Sequence, residues 1–212
     1  MGNRLKLWGI SVLLFGAFCF WYTDLGGPLS QSEIDDFVAE LTANGADTAN
    51  IELIKEFARG DTGRQILMVN NLDMNENPPS VEGAAAGETA DQLIGRYMEH
   101  MYPALLKRAS HPILVGTVIA PAMDIIGVEG GEQWDRAVLM RYKSRRTLLE
   151  IVTNPKFAGK HDFKTAALTK TIAYPIETDI YFSDPRLILG LLLLTFTALL
   201  DGRLSRRRMQ GN

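Results

Sequence analysis

Cysteine and histidine are scarce in this chain of 212 residues. It has one cysteine, Cys19, and three histidines, which are His100, His111 and His161. One cysteine cannot form an intrachain disulfide or a cysteine-ligated metal cluster. Because no two histidines share a spacing such as His-x-x-x-His, the sequence predicts no metal site and no cofactor. We expect the histidines to lie at the surface or at helix ends.

Basic residues are scarce in the middle of the chain. Seven of the 22 lysine and arginine residues lie near the two ends, and these are Arg4, Lys6, Arg186, Arg203, Arg206, Arg207 and Arg208. All 25 acidic residues except Asp201 lie between Asp24 and Asp184. An acidic middle argues against a nucleic-acid partner, because neutralising phosphates requires a basic surface.

The first apolar run, residues 7–22, contains no charged residue and is rich in aromatic residues at its end. Aromatic side chains of this kind settle at a membrane–water interface. The run is shorter than the ~20 residues that span a bilayer comfortably, so a cleaved secretory signal is the alternative. No small-x-small cleavage site precedes Asp24, and residues 1–23 are therefore interpreted as an uncleaved transmembrane anchor.

The second apolar run, residues 187–200, is followed at once by an arginine-rich tail. Ile180, Tyr181 and Phe182 would extend it to a spanning length. The alternative is a buried core helix, which the lack of a polar face disfavours. The sequence thus predicts a C-terminal transmembrane helix over 180–202 and a basic tail over 203–212.

Positive charge flanks both runs on their outer sides. By the positive-inside rule, both termini are expected in the cytoplasm and the central domain in the periplasm. The expected location is a bacterial inner membrane, with the lipid bilayer as one partner.

Residues 24–62 form a predicted helical extension. Ser30 and Glu33 make a capping box for a helix over 28–45, which Gly45 ends. A second short helix is expected over 48–58, stopped by Gly60.

Residues 63–179 carry the predicted sheet domain. Strands are expected at 64–72, 112–120, 134–142 and 169–178, and helices at 89–109 and 145–153. Pro103 implies a kink or an early end of the first helix. The loop over 73–88 is long for a compact domain, which is typical of a lid or of disorder.

The resulting order is β-α-β-β-α-β, the ferredoxin-like split βαβ arrangement. A strand with tryptophan at 134–142, a helix at 145–153, an Asn-Pro break at 154–157 and an Ala-Ala-Leu piece at 166–168 accompany it. In these features residues 64–178 resemble the dimeric α+β barrel superfamily, especially an uncharacterised branch of it.

The resemblance implies a barrel closed by a second copy and a pocket between sheet and helices. Relatives use that pocket as monooxygenases, isomerases or haem-handling enzymes. Independently of the resemblance, strands that are apolar on both faces need a cover on the face that their own helices leave open, which agrees with a second copy. The expected fold class is α+β: a ferredoxin-like βαββαβ domain (dimeric α+β barrel) with an N-terminal helical extension and a transmembrane helix at each end.

Polar residues within the apolar strands and along the long helix are the candidate pocket residues. They are Asn70, Arg96, Tyr97, His100, Trp134 and Arg141. A buried polar side chain needs a partner, so these side chains either line a ligand site or form dimer-interface contacts. Asn70, His100 and Trp134 match the residue types of haem-degrading relatives, but the local motifs differ and that activity is not transferred.

Two functional hypotheses follow. In the first, the protein is a membrane-anchored accessory or structural subunit of an inner-membrane complex, with a homodimer or other membrane subunits as partners. The alternative is a membrane-tethered enzyme or binding protein for a small apolar molecule, with a monooxygenase-like or isomerase-like pocket. No catalytic triad or carboxylate pair stands out, so the sequence does not decide whether the protein is an enzyme.

Overall fold

A computed structural model describes residues 2–157 and 159–210, the last four of these by their backbone only. The chain divides into two compact units. One combines Met1–Leu25 with Thr178–Asn212, and we call it the helix pair. The other is Gly26–Glu177, which we call the α+β domain.

Most helices of the α+β domain begin at a side-chain cap, and the short helix that starts at His161 is the exception. Its elements are α2 (Gln31–Ala43), α3 (Thr48–Arg59), β1 (Ile66–Met74), α4 (Ala90–Lys107), β2 (His111–Thr117), β3 (Arg136–Tyr142), α5 (Arg145–Val152), α6 (His161–Ala166) and β4 (Leu168–Ile176). Ser30 and Glu33 form the expected capping box of α2, and Thr89 and Gln92 form another at α4. Pro103 lies inside α4, which continues one further turn to Lys107.

The four strands form one antiparallel sheet in the order β2-β3-β1-β4. This order, with β1 and β3 at the centre, is that of a ferredoxin-like βαββαβ unit. The predicted α+β class and element order are confirmed.

The core of the domain lies on one face of the sheet. Ile66 of β1 and Tyr142 of β3 pack there against Met101 and Leu105 of α4 and against α5. Helices α2 and α3 form an outer layer, because Ile34 and Ala58 pack against Leu149 of α5. The extension is thus held to the sheet domain through α5.

Two arginines at the start of α5 bind residues of the outer layer formed by α2 and α3. The Arg146 Nε donates to Glu33 Oε1 at 2.7 Å, and its Nη1 donates to the Gly27 carbonyl at 3.2 Å. The Arg145 Nη1 donates to the Phe57 carbonyl at 2.6 Å, and its Nη2 donates to Glu177 at 2.9 Å. Hydrogen bonds to charged groups are among the stronger ones in proteins, so these contacts fix where the extension docks.

The helix pair consists of α1 (Gly2–Tyr22) and α7 (Pro185–Gln210). Contacts join Arg4 to Asp201, Ser11 to Thr197 and Thr23 to Arg186. Since early residues of α1 meet late residues of α7, the helices are antiparallel. Their outer ends, at Gly2 and Gln210, lie on the same side of the pair.

The start of α7 differs from the expected position. Pro185 suits the first helical turn, and the Asp184 carboxylate accepts from the Arg186 N–H at 2.9 Å, so the helix begins there. Residues 180–182 therefore precede the helix and do not supply its length. The helix instead extends further at its C-terminal end, to Gln210. By length and composition alone, α1 and Pro185–Arg206 could each cross a membrane.

Candidate ligand cavity

A cavity of about 230 Å³ lies between the sheet and α4. Its apolar lining comes from one face of α4 and from β1, β2 and β3, and comprises Leu72, Ile94, Met98, Met101, Leu105, Pro112, Val115, Val138 and Met140. The polar lining consists of Asn70, Tyr97, Tyr102, Arg136, Tyr142 and Lys164. A mostly apolar cavity with a few polar groups is the usual form of a small-molecule site.

Strand alternation decides which residues reach this cavity. Successive side chains of a strand point to opposite faces, so Arg136, Val138, Met140 and Tyr142 share the face that α4 covers. The cross-strand register places Asn70 beside Val138 on the same face. Asn70 is held there because its amide donates to the Met68 carbonyl at 3.0 Å and to the Val138 carbonyl at 3.4 Å.

Lys164 enters the cavity lining from the short helix α6, which packs against α4. Among the described residues, its ammonium group forms no hydrogen bond and no ion pair. Burial lowers the pKa of Lys164, because the charged form loses hydration without gaining a counter-charge. Sequence reasoning missed this residue, since the contact between α6 and α4 joins distant parts of the chain.

Two tyrosines of the cavity are also strongly desolvated. Tyr142 is 8 % exposed, and burial raises its pKa, with a smaller contribution from the nearby Tyr97. Burial raises the pKa of Tyr97 as well. The hydroxyl groups of both have no hydrogen-bond partner among the described residues, although buried phenols usually find one.

His161, at the start of α6, lies next to this group. Its ring packs edge-on to Tyr97, with 6.1 Å between ring centroids. Partial desolvation lowers the pKa of His161, and the positive charge of Lys164 adds to the effect. The histidine near Tyr97 is thus His161, whereas sequence reasoning had singled out His100.

Two of the six candidate pocket residues, Asn70 and Tyr97, line the cavity. Arg96 and His100 lie on α4 but do not reach it. The Arg96 Nε donates to Glu88 Oε2 at 2.6 Å, and this ion pair lowers the pKa of Glu88. His100 is exposed, because it falls outside the buried stripe formed by Leu93, Tyr97 and Met101.

Trp134 precedes β3 instead of lying on it. Its indole N–H donates to the Gly131 carbonyl at 2.9 Å, and Lys170 Nζ lies 4.8 Å from the ring centroid. It lines a separate, open cleft of about 600 Å³ whose walls carry Asp73, Asp91 and Asp135. The structure therefore does not bring Trp134 together with Asn70 and Tyr97.

Arg141 is fully buried on the sheet face opposite the cavity. Its position alternates with Met140 and Tyr142, and its Nε donates to Gln65 Oε1 at 2.8 Å. Its Nη1 donates to the carbonyl of Ala109, which has a φ of 51°, a left-handed conformation that is uncommon for alanine. Arg141 thus stabilises the corner between α4 and β2.

The loop between β1 and α4 was expected to act as a lid or to be disordered. Val81 and Ala84 of this loop pack instead against the cluster of Leu93, Phe163 and Ala167. None of residues 75–89 is among the cavity-lining residues. The loop therefore contacts α4 and α6 away from the cavity.

Within the described residues, no group of three or more histidine, cysteine, aspartate or glutamate side chains could hold a metal ion. The cavity itself offers donors of hydrogen bonds from Tyr97, Tyr142 and Lys164. The lining thus combines an apolar wall with a few polar groups.

Comparison with known proteins identifies the fold only. No protein-family model matches the sequence, and no curated protein matches it either. A protein of unknown function from Rhodopseudomonas palustris aligns with a TM-score of 0.49 at 18% identity, over 61% of this chain and 94% of that one. Its methylated form aligns with a TM-score of 0.51 at 16% identity, over 63% of this chain and 93% of that one.

A third structure is a dimeric protein of unknown function and ferredoxin-like fold from Bacteroides fragilis. It aligns with a TM-score of 0.32 at 11% identity, over 54% of this chain and 96% of that one. The strand order β2-β3-β1-β4 is by itself that of a ferredoxin-like domain. The α+β domain has the ferredoxin-like fold that the sequence resemblance implied.

Proposed function

We propose that the protein is a membrane-anchored accessory or structural subunit of a bacterial inner-membrane complex. In this account the helix pair spans the bilayer, and the α+β domain lies in the periplasm and associates through its open sheet face. The observation that carries the proposal is that helices cover one face of the sheet while the other presents apolar side chains.

The pattern of polar and apolar residues in the helix pair supports the membrane anchor. Thr197, in the middle of α7, is buried and its hydroxyl lies 2.6 Å from that of Ser11. Large apolar side chains such as Leu13 and Leu192 are exposed on the outer surface. Polar groups in the seam and apolar groups outside suit a helix pair surrounded by lipid.

The antiparallel arrangement supports a topology with both termini on one side. Arg4 and Lys6, in the first two turns of α1, lie at the same end of the pair as Arg203 and Arg206 of α7. By the positive-inside rule this end is cytoplasmic. The chain between Tyr22 and Pro185 leaves from the other end, so the proposed location of the α+β domain is the periplasm.

The open sheet face is proposed to pair with a second copy of the chain. Leu114, Ile172, Tyr174 and Ile176 lie on this face and are between 37% and 49% exposed. The register places Tyr174 beside Val69 on this face, and Ile172 and Ile176 lie two residues to either side of Tyr174 on the same strand. Pairing two such faces would bury apolar area and close the barrel.

The test is purification of the tagged protein from its native membrane after mild crosslinking. The proposal expects a complex that contains the protein together with other membrane chains in fixed proportion. Recovery of a homodimer alone would count against a subunit role. A tagged chain with Tyr174→Glu, which alters the open sheet face, is the control, because chains that it still captures are not held through that face.

A second candidate function is binding of a small apolar molecule. The cavity between the sheet and α4 favours it, because its walls are largely apolar and Tyr142 lies in it with an unpaired hydroxyl among the described residues. The test is saturable binding of small apolar probes that Met101→Trp, which fills the cavity, abolishes. Binding that is unaffected by Met101→Trp would place the ligand elsewhere.

A further inference from the structure

We infer that the cavity selects an apolar molecule that carries one acidic group, such as a short carboxylic acid. The acidic group lies against Lys164 and Tyr142, and the apolar body lies along α4. This inference rests on the second candidate function and names the ligand class of that site.

The polar groups of the cavity are unbalanced in charge. Its lining contains two basic residues, Lys164 and Arg136, and no acidic residue. Arg136 is already paired, because its Nη2 lies 2.5 Å from Asp91 Oδ1. Lys164 is not paired with any described residue, so it is the positive charge that a ligand can neutralise.

Donors are also in excess among the hydrogen-bonding groups of the cavity. The Tyr97 and Tyr142 hydroxyls can donate, and Lys164 can donate through its ammonium group. None of these three groups has an acceptor among the described residues, although Tyr142 is more than nine-tenths buried. A carboxylate is acceptor-only when ionised and offers two oxygens, so it complements a site that has donors in excess.

The apolar part of the lining limits the remainder of the ligand. Met98, Met101 and Met140 contribute flexible side chains that adapt to different shapes. A volume of about 230 Å³ accommodates roughly eight water-sized groups at ~30 Å³ each. The ligand is therefore a small acid with an apolar body and not a full-length lipid.

Binding of an acid would also offset the free energy that is lost when the charged Lys164 is desolvated in the cavity. Burial lowers the pKa of this lysine in the free protein. A carboxylate beside it favours the charged form. Affinity is then expected to weaken as the pH rises and Lys164 loses its proton.

The test uses the full-length protein in lipid nanodiscs with ¹³C-methyl-labelled methionine. Three probes of matched shape are titrated: 3-phenylpropanoate, 3-phenylpropan-1-ol and 3-phenylpropylamine. The acid is expected to shift the methyl signals of Met98, Met101 and Met140 in a saturable manner. Met123, which is 99 % exposed, is the internal control and should not move. The alcohol and the amine should bind at least about tenfold more weakly.

Two variants examine the assigned contacts. Lys164→Gln should weaken acid binding about tenfold and leave the affinity for the alcohol unchanged. Lys160→Gln is the matched control on the same segment, because Lys160 lies over the Phe163 ring and does not line the cavity. Tyr142→Phe keeps the ring, removes the donor and should also weaken acid binding. It serves as the test if Lys164→Gln proves unstable.

The outcomes separate the ligand class from the binding function. If the alcohol or the amine shifts the cavity methionines as strongly as the acid, the cavity binds apolar molecules but the acidic class is overturned. If none of the probes shifts these methionines, both the ligand class and the binding function fail.

Discussion

Ser11 and Thr197 are 186 residues apart in sequence, and their hydroxyl oxygens lie 2.6 Å apart. Thr197 is almost completely buried, although it belongs to an apolar helix whose other side chains are largely exposed. The contact therefore defines the seam of the helix pair. In lipid, a hydroxyl that is paired across the seam avoids the cost of facing hydrocarbon.

A disulfide at this seam tests the antiparallel register. In a Cys19→Ser background, Ser11→Cys with Thr197→Cys should crosslink readily, because the two side chains already meet. Leu13→Cys with Thr197→Cys is the matched control, since Leu13 is 73 % exposed on the outer surface of α1. Non-reducing electrophoresis of membranes distinguishes the two. Equal crosslinking of both pairs would contradict the register.

The contact between Arg146 and Glu33 predicts how the helical extension responds to acid. Arg146, with help from the Ser30 N–H, lowers the pKa of Glu33 to about 2. A carboxylate with a lowered folded-state pKa stabilises the protein above its unfolded pKa of about 4.3. That contribution should be lost as the pH falls from about 4.3 towards 2.

The matching substitution is Glu33→Gln. It should cost about 1 kcal/mol at pH 7, the size of a typical capping interaction, because partial solvent exposure limits the ion pair. The difference between Glu33→Gln and the unmodified protein should shrink below pH 4 in chemical unfolding followed by circular dichroism. Glu52→Gln, on the exposed side of α3, is the control and should have little effect. A constant difference down to pH 2 would argue against the assigned ion pair.

The capping box of α2 could be recognised from the sequence because its residues are three positions apart. The same holds for the order of strands and helices along the chain, since alternating apolar residues and helix periodicity are local signals. The face of each strand residue could also have been derived from alternation. That pattern groups Arg141 with Ala137 and Leu139, away from Met140 and Tyr142, so the expected pocket role of Arg141 neglected the two-residue period.

The contribution of Lys164 to the cavity could not be derived in this way. It depends on how α6 packs against α4, which is a long-range contact without a local signature. The start of α7 was also mispredicted, because the apolar run was extended to residues 180–182 across the Asp184-Pro185 pair. It is in fact a helix start, with the Asp184 side chain accepting from the Arg186 N–H.

Lys164 also predicts a change in stability with pH. Its lowered folded-state pKa means that the charged lysine destabilises the native state below that pKa. The penalty should disappear as the pH rises from the folded-state pKa to the unfolded value near 10.4. Lys164→Met should therefore raise the melting temperature at pH 7, and this gain should decrease towards pH 10. Lys160→Met is the control, and a pH-independent gain would contradict the assigned cause.

The open sheet face predicts the behaviour of Tyr174→Glu. A charge within the apolar interface should weaken self-association at least about tenfold, because it must be desolvated without a partner. Leu53→Glu, at a 65 % exposed position on α3, introduces the same charge away from the sheet. Analytical ultracentrifugation in detergent should show the Tyr174→Glu protein as a monomer and the Leu53→Glu protein as a dimer. Two dimeric variants would contradict the sheet-face interface.

The most direct test of the whole account is the topology of the chain in a bacterial inner membrane. In a Cys19→Ser background, single cysteines are placed at Ile126, which is 87 % exposed in the α+β domain, and at Arg206, which is exposed at the end of α7. Intact spheroplasts and lysed membranes are then treated with a membrane-impermeant maleimide. The account predicts labelling of Ile126→Cys in intact spheroplasts and of Arg206→Cys only after lysis. Labelling of Arg206→Cys in intact spheroplasts would contradict it.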